Sequence, residues 1–192
     1  MRVAIIGSSG SGKSTFGRRL GEALGAPFVE LDAINWQAGW TDLNTHQPEE
    51  FVRRVSEVVG AEAWVVDGNY SRVLPTVLAR ATHLVWLDYE RSVIMPRVLR
   101  RSIARAWSGR ELWPGTGNRE NWRHWLDKEH PIRWAWDTFA PRRRRYEEMF
   151  RDPDLAQLTR HRLRRPREAD ALVRDLSGAQ RGERVADARV GV

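Results

Sequence analysis

The sequence predicts an α/β protein: a five-stranded parallel sheet with helices on both faces, a three-layer α/β/α sandwich. Three observations carry that expectation. Short apolar runs alternate with helix-length amphipathic stretches, which implies crossover connections and a covered parallel sheet. Two of those runs, Ala63-Trp64-Val65-Val66-Asp67 and His83-Leu84-Val85-Trp86-Leu87-Asp88, end in an aspartate. The first run, Arg2–Ile6, leads into Gly7-Ser8-Ser9-Gly10-Ser11-Gly12-Lys13-Ser14-Thr15, the pattern G-x-x-x-x-G-K-[ST] between a strand and a helix.

The elements follow in order. A strand over 2–6 precedes a helix over about 13–25, where Arg18 and Glu22 form an i,i+4 pair. Pro27–Asp32 reads as a second short strand. Pro48-Glu49-Glu50 opens a helix that stops near Gly60, with proline and acids in its first turn. The runs 63–67 and 83–88 are strands, and 71–80 between them is helical. A longer helix starts near Ser92, with Pro96 within its first turns. Residues 108–120 read as a mobile loop, about 120–150 as helix, 156–162 as the last strand and Pro166 to about Ser177 as the last helix. One domain over 1–177 is expected, with a lid over about 107–135 and a disordered tail over 178–192.

Composition bounds the chemistry. At 192 residues the chain suits one domain with a sizeable core. No apolar run of about 18 residues exists to span a membrane, and no signal-peptide pattern opens the chain. With no cysteine there are no disulfides or thiolate metal sites, and nothing speaks against the cytosol, so a cytoplasmic enzyme is the default expectation. The net charge of +7 is carried almost wholly by arginine, since Lys13 and Lys128 are the only lysines. Such a balance suits anionic partners, nucleotides or nucleic acid, though it also arises from coding bias. The five histidines show no metal-ligand or relay spacing.

The glycine-rich loop carries the most specific chemistry. Its glycines let consecutive backbone N–H groups turn inward, and the helix that follows adds its positive end. Gly7 to Thr15 form this cradle: Lys13 reaches the β- and γ-phosphates of a nucleotide, and the Ser14 hydroxyl completes a Mg²⁺ shell. Asp67 or Asp88 can supply the acid opposite the loop. For Asp88, which precedes a helix, a capping role fits better; Asp67 is favoured by the Gly68-Asn69-Tyr70-Ser71-Arg72 that follows. Arg97, Arg101 and Arg105 recur at i,i+4 on one helical face, and neither Arg97 nor Arg101 has an acid three or four positions away. Like-charge pairs at that spacing cost isolated helices about 0.2–0.5 kcal/mol each, which a bound phosphoryl group would offset. By contrast, Arg143 and Arg144 precede Glu147 and Glu148 by four residues and are expected to neutralise themselves on a surface. Of the ten tryptophans, Trp64 and Trp86 read as core; Trp36 and Trp40 follow Asp32 and can wall an acceptor pocket.

Residues 1 to about 177 resemble the nucleoside-monophosphate-kinase branch of P-loop proteins. The resemblance is strongest to the adenylate-kinase-related family labelled DNA topology modulation proteins. It rests on Ile5–Thr15, Leu31-Asp32-Ala33 with Trp36 and Gly39-Trp40, Val66–Arg72, and the strand ending at Asp88 with its arginine helix. It implies a P-loop NTPase fold with a helical lid and Mg-ATP as phosphoryl donor. In such kinases two lid arginines follow the acid of the fourth strand by nine and thirteen residues, which lands on Arg97 and Arg101. Arg72 corresponds to the acceptor-gripping arginine, with one extra residue before it and without the usual proline. Asp32 stands where related small-molecule kinases orient or deprotonate an acceptor hydroxyl, although a capping role fits it equally. Arg165 stands where they line the adenine. The expected activity is transfer of the γ-phosphoryl of Mg-ATP to a small acceptor, such as a nucleoside monophosphate, by a monomer or homodimer. The alternative is an ATP-binding protein acting on DNA topology or nucleic acid.

Overall fold

Alternate residues of the central strands point into opposite layers, and that sorting builds the core. In the computed structural model, which describes residues 1–120 and 131–190, the main sheet holds β1 (Arg2–Gly7), β2 (Phe28–Glu30), β5 (Trp64–Asp67), β6 (His83–Leu87) and β7 (Thr159–Leu163). Its order is β2-β5-β1-β6-β7, with every neighbour parallel. Val3, Ile5, Val65, Val85 and Leu87 face α1 (Lys13–Leu24), α6 (Arg91–Ser108) and α8 (Pro166–Val190). Ala4, Ile6, Trp64, Val66, Leu84 and Trp86 face α4 (Pro48–Gly60) and α5 (Leu74–Arg80). Trp64 and Trp86 are fully buried. At about 25 cal/mol per Å² over roughly 200 Å², each ring contributes about 5 kcal/mol of transfer free energy.

The five expected strands and the helices over 13–25 and 48–60 are present within a residue or two, except that the last strand starts three residues later than expected, at Thr159. The second strand is shorter than expected: it ends at Glu30, and Asp32 lies in the first turn of α2 (Leu31–Asn35). A compact segment that period-reading did not resolve follows. It comprises β3 (Trp36–Gln37), a 3₁₀ turn (Ala38–Trp40), β4 (Thr41–Asp42), antiparallel to β3, and α3 (Leu43–His46). Each piece is too short to carry a period.

Residues 71–73 form a turn before α5. Residues 109–120 lie outside regular elements, as expected, but are cross-braced: Leu112 N–H donates to Asn118 C=O at 2.9 Å, and Glu111 accepts from the Gly115 and Gly117 N–H groups. Helix α7 (Pro131–Arg151) follows; the lid expected over 107–135 therefore falls partly outside the described residues. Helix α8 runs on to Val190, where a disordered tail was expected from 178. Continuing a helix needs far less than nucleating one, and the alanine, arginine and glutamate of this stretch are good helix formers. No described helix is long and apolar enough to cross a membrane.

Candidate active site

Strand order places the site. The central β1 has β5 on one side and β6 on the other, so a crevice opens beyond its carboxyl end, where Gly7–Ser14 lies. Gly10 is left-handed at φ 82°, and a Cβ there would stand 2.2 Å from Val98 Cγ2, so the loop closes tightly on α6 only with glycine. Helix α1 starts at Lys13 with no side-chain cap and no acid in its first turn, which leaves its N–H groups for an anion. Lys13 Nζ folds back over the loop, 3.5 Å from Ser8 C=O and 3.9 Å from Asp67 Oδ1.

The parallel register then brings two acids together. Glu30 pairs with Asp67 across β2 and β5, and both carboxylates reach Ser14 Oγ, at 2.9 and 2.7 Å. A hydroxyl has one proton to donate, so it satisfies only one of the two at a time. Burial pushes the Asp67 carboxyl up to about 6; Lys13 and Ser14 oppose this, while Asp32 and Glu30 add to it. One hydroxyl and two carboxylates, all hard oxygen donors with surplus negative charge, fit Mg²⁺. Glu30 was missed in the sequence reading. Its signal was the acid–apolar–acid triplet Glu30-Leu31-Asp32 at the end of a strand run.

Opposite the acids stand the arginines of α6. Arg97 donates to Ser11 C=O at 3.3 Å and packs over the Tyr89 ring; Arg101 donates to Ser9 Oγ at 3.3 Å. Arg101 Nε is buried with no hydrogen-bond partner among the described residues, and burial, with Arg105 nearby, holds its guanidinium below the usual range. Both arginines therefore reach the loop with neutral partners. Asp88 differs. It is buried, Arg143 Nε sits 2.9 Å from its Oδ1, and Arg162 holds its Oδ2 through Nε at 2.9 Å and Nη2 at 2.7 Å. Asp88 is thus an ion-pair anchor rather than an acid facing the loop. The self-neutralisation expected of Arg143 is corrected too: it pairs with Asp88 and with Glu90 at 3.0 Å, and Glu147 binds Arg162 at 2.8 Å. A buried carboxylate outcompetes a half-exposed i+4 partner because desolvation strengthens the attraction.

The Tyr70 hydroxyl donates to Asp32 Oδ1 at 2.7 Å. Burial, then the Asp32 charge, drive the Tyr70 phenol well above its usual range, so it remains a donor. Arg142 acts electrostatically on both Tyr70 and Tyr146. It is half-buried, stacks 5.5 Å above Trp134, and has no ion pair among the described residues. Sequence reading missed it because Arg142–Arg145 looked like one solvated run. Trp36 and Trp40 meet edge-to-face at 5.7 Å, and Trp40 meets Trp113 likewise at 6.1 Å. Trp40 is left-handed at φ 60°, which costs a non-glycine residue about 1–2 kcal/mol. Arg72 is exposed, with Nε 3.3 Å from Asn44 Oδ1; Arg165 is exposed, and its N–H caps α8 through Glu168. Among the described residues neither is hydrogen-bonded to the loop or to Asp32.

A phosphate cradle beyond the central strand, flanked by an acid pair and an arginine helix, defines a P-loop phosphotransferase. No family model matches the chain. It is 35% identical over 117 residues to a shikimate kinase of Symbiobacterium thermophilum, covering 55% of this chain and 67% of that protein. A shikimate kinase of Mycobacterium ulcerans is 44% identical over 74 residues, 36% of this chain and 40% of its own length. Among solved structures, the shikimate kinase of Bacteroides thetaiotaomicron aligns at TM-score 0.55 and 16% identity, over 93% of this chain and 97% of that one. The shikimate kinase of Acinetobacter baumannii, in complex with shikimate, aligns at 0.54 and 18%, over 97% and 93%. Those structural alignments, at such low identity, establish the fold alone. The chain belongs to the shikimate kinase family, and it is an ATP-dependent small-molecule kinase. The expected kinase branch therefore holds, and these relatives lend no support to the DNA topology label or to a nucleic-acid role.

Proposed function

We propose that this kinase phosphorylates a hydroxyl of a small hydroxy acid of the shikimate kind, rather than a nucleoside monophosphate. The observation that carries the reading is the Asp32–Tyr70–Arg142 arrangement. Asp32 is a carboxylate fixed by a phenol donor, suited to orient and deprotonate a hydroxyl; Arg142 is a half-buried cation with no acidic partner among the described residues, suited to an acceptor carboxylate. The first matched relatives act, by their names, on shikimate.

Bound Mg-ATP supplies the phosphoryl group. The N–H groups of Gly7–Gly12 and of the α1 terminus, with Lys13, hold its phosphates; Ser14, Glu30 and Asp67 hold Mg²⁺, with Thr15 at the same helix start. Arg97 and Arg101 face the charge that spreads over the moving phosphoryl, where fixed donors act without reorganising. Trp36 and Trp40 wall the acceptor, Arg72 stands at the rim near Asn44, and Arg165 lines the adenine. A lid over 107–135 that excludes water would separate transfer from hydrolysis. We place the activity in the cytoplasm, in a monomer or homodimer.

ADP release from Mg-ATP tests this with shikimate, gluconate, AMP and CMP as separate acceptors. Turnover with a hydroxy acid is expected, and Arg142→Ala should raise that acceptor's KM at least tenfold with the ATP KM within threefold. Turnover with AMP or CMP and none with either acid would move the acceptor to nucleotides.

A further inference from the structure

Asn118 lies in the loop after α6, outside every regular element, yet it is 1% exposed. Its side-chain amide is spent on a distant backbone. Oδ1 accepts from Trp40 N–H at 2.9 Å, and Nδ2 donates to Gln37 C=O at 2.9 Å. One side chain thus holds both sides of the turn between β3 and β4, as a paired strand would. The turn it holds is strained: among the described residues, Trp40 is the one non-glycine at positive φ. Backbone strain of this kind persists only where surroundings over-determine it, and it gathers at ligand clamps.

Asn118 is itself held from within the loop. Its N–H donates to Thr116 Oγ1 at 3.2 Å, its C=O accepts from Leu112 N–H, and the Trp113 ring of the same loop rests edge-on against Trp40. The loop continues directly from α6, the helix that carries Arg97 and Arg101 to the phosphate cradle, and Arg105 of that helix lies 3.8 Å from Glu120. A continuous path therefore runs from Ser9 and Ser11, through α6 and the braced loop, to the backbone of Trp40.

We propose that Asn118 is a positioning residue that latches the arginine helix to the Trp36–Trp40 wall, so that nucleotide bound at Gly7–Ser14 orders residues 36–42 through it. The wall's role toward the acceptor rests on the function proposed above; the latch does not. An element that is rigid only when latched couples two sites by the order each imposes, and that coupling is measurable without the acceptor.

The test is amide hydrogen exchange over residues 36–42 of the full chain, with ADP as the probe. In the wild type, saturating ADP should slow exchange at the Trp40 amide at least tenfold. In Asn118→Ala the slowing should fall below twofold, with the ADP Kd within threefold of wild type. Asn118→Asp keeps an oxygen for Trp40 N–H but loses the donor to Gln37; it should show intermediate slowing and serves if the alanine variant does not fold. With shikimate as acceptor, Asn118→Ala should raise the acceptor KM at least tenfold with kcat within threefold. Full ADP protection in both variants, no protection in the wild type, failure of both variants to fold, or ADP affinity lost together with protection would each overturn the latch. A wild type that does not phosphorylate shikimate would remove the proposed acceptor and leave the exchange result standing.

Discussion

Two arginine sets in this molecule are treated in opposite ways. Arg97 and Arg101 of α6 reach the phosphate loop and find a carbonyl and a hydroxyl. Arg143 of α7 and Arg162 of β7 converge on the buried Asp88, with Glu90 and Glu147 completing the network. The second set is neutralised by the fold itself. The first leaves positive charge for a ligand to neutralise, and Arg101 pays for this with a guanidinium pushed below its usual range. Partner chemistry, rather than arginine density, separates a binding surface from a structural one.

Substitutions should separate the two sets further. The largest effect is expected at the cradle: Lys13→Ala should abolish transfer, and Arg101→Ala should lower kcat by about 10²–10³-fold. Melting temperatures should stay at or above wild type, because Arg101→Ala removes a poorly partnered buried cation. A marked fall in melting temperature for Arg101→Ala would place it with the structural set.

Arg162→Ala should do the reverse. It strips the two hydrogen bonds to Asp88 Oδ2 and the packing over Trp86, at 4.2 Å, and leaves a buried carboxylate with Arg143 alone. Breaking such a pair costs about 3 kcal/mol, or roughly 6–12 °C in a chain of this size, with kcat of the folded enzyme within threefold. Arg143→Ala should follow with a smaller loss of stability, since Arg162 remains on Asp88.

Asp67 links the comparison to pH. Its carboxyl, lifted from 3.8 to about 6, binds a proton more tightly folded than unfolded. That stabilisation is complete below about pH 4 and lost as pH rises through 6, a span of about 3 kcal/mol. Without Mg²⁺, Asp67→Asn should therefore melt above wild type at pH 7.5, with the gap narrowing toward pH 5, while transfer is lost. His83 and His161, whose pKa values burial lowers, lose stability in the opposite direction, as pH falls below 6.5. Being common to both proteins, they cancel in the difference. A gap that does not change with pH would contradict the raised carboxyl. The smallest effect belongs to Arg144→Ala, an exposed neighbour within the same run, expected within about 0.5 kcal/mol by melting.

Much of the frame was legible in the chain. The strand–loop–helix at 2–24, the strands ending near Asp67 and Asp88, and the i,i+4 arginines of α6 are patterns that close within a few residues. Backbone periodicity and glycine geometry set them locally. The segment 31–46 was not legible, because its elements are shorter than any period. Arg142 and Arg143 look alike in sequence, and only packing sends one toward Tyr70 and the other to Asp88.

By itself, then, the sequence determined a phosphate cradle on a parallel α/β sheet and an arginine helix beside it. Tertiary structure alone decided that Glu30 joins Asp67 at Ser14, that the Arg142 charge acts on Tyr70, the donor to Asp32, and that Asn118 grips the turn at Trp40. The cradle is written in contiguous residues whose geometry is local. The partners of a parallel sheet are far apart in the chain, and register and packing, which no local pattern encodes, choose which side chains meet.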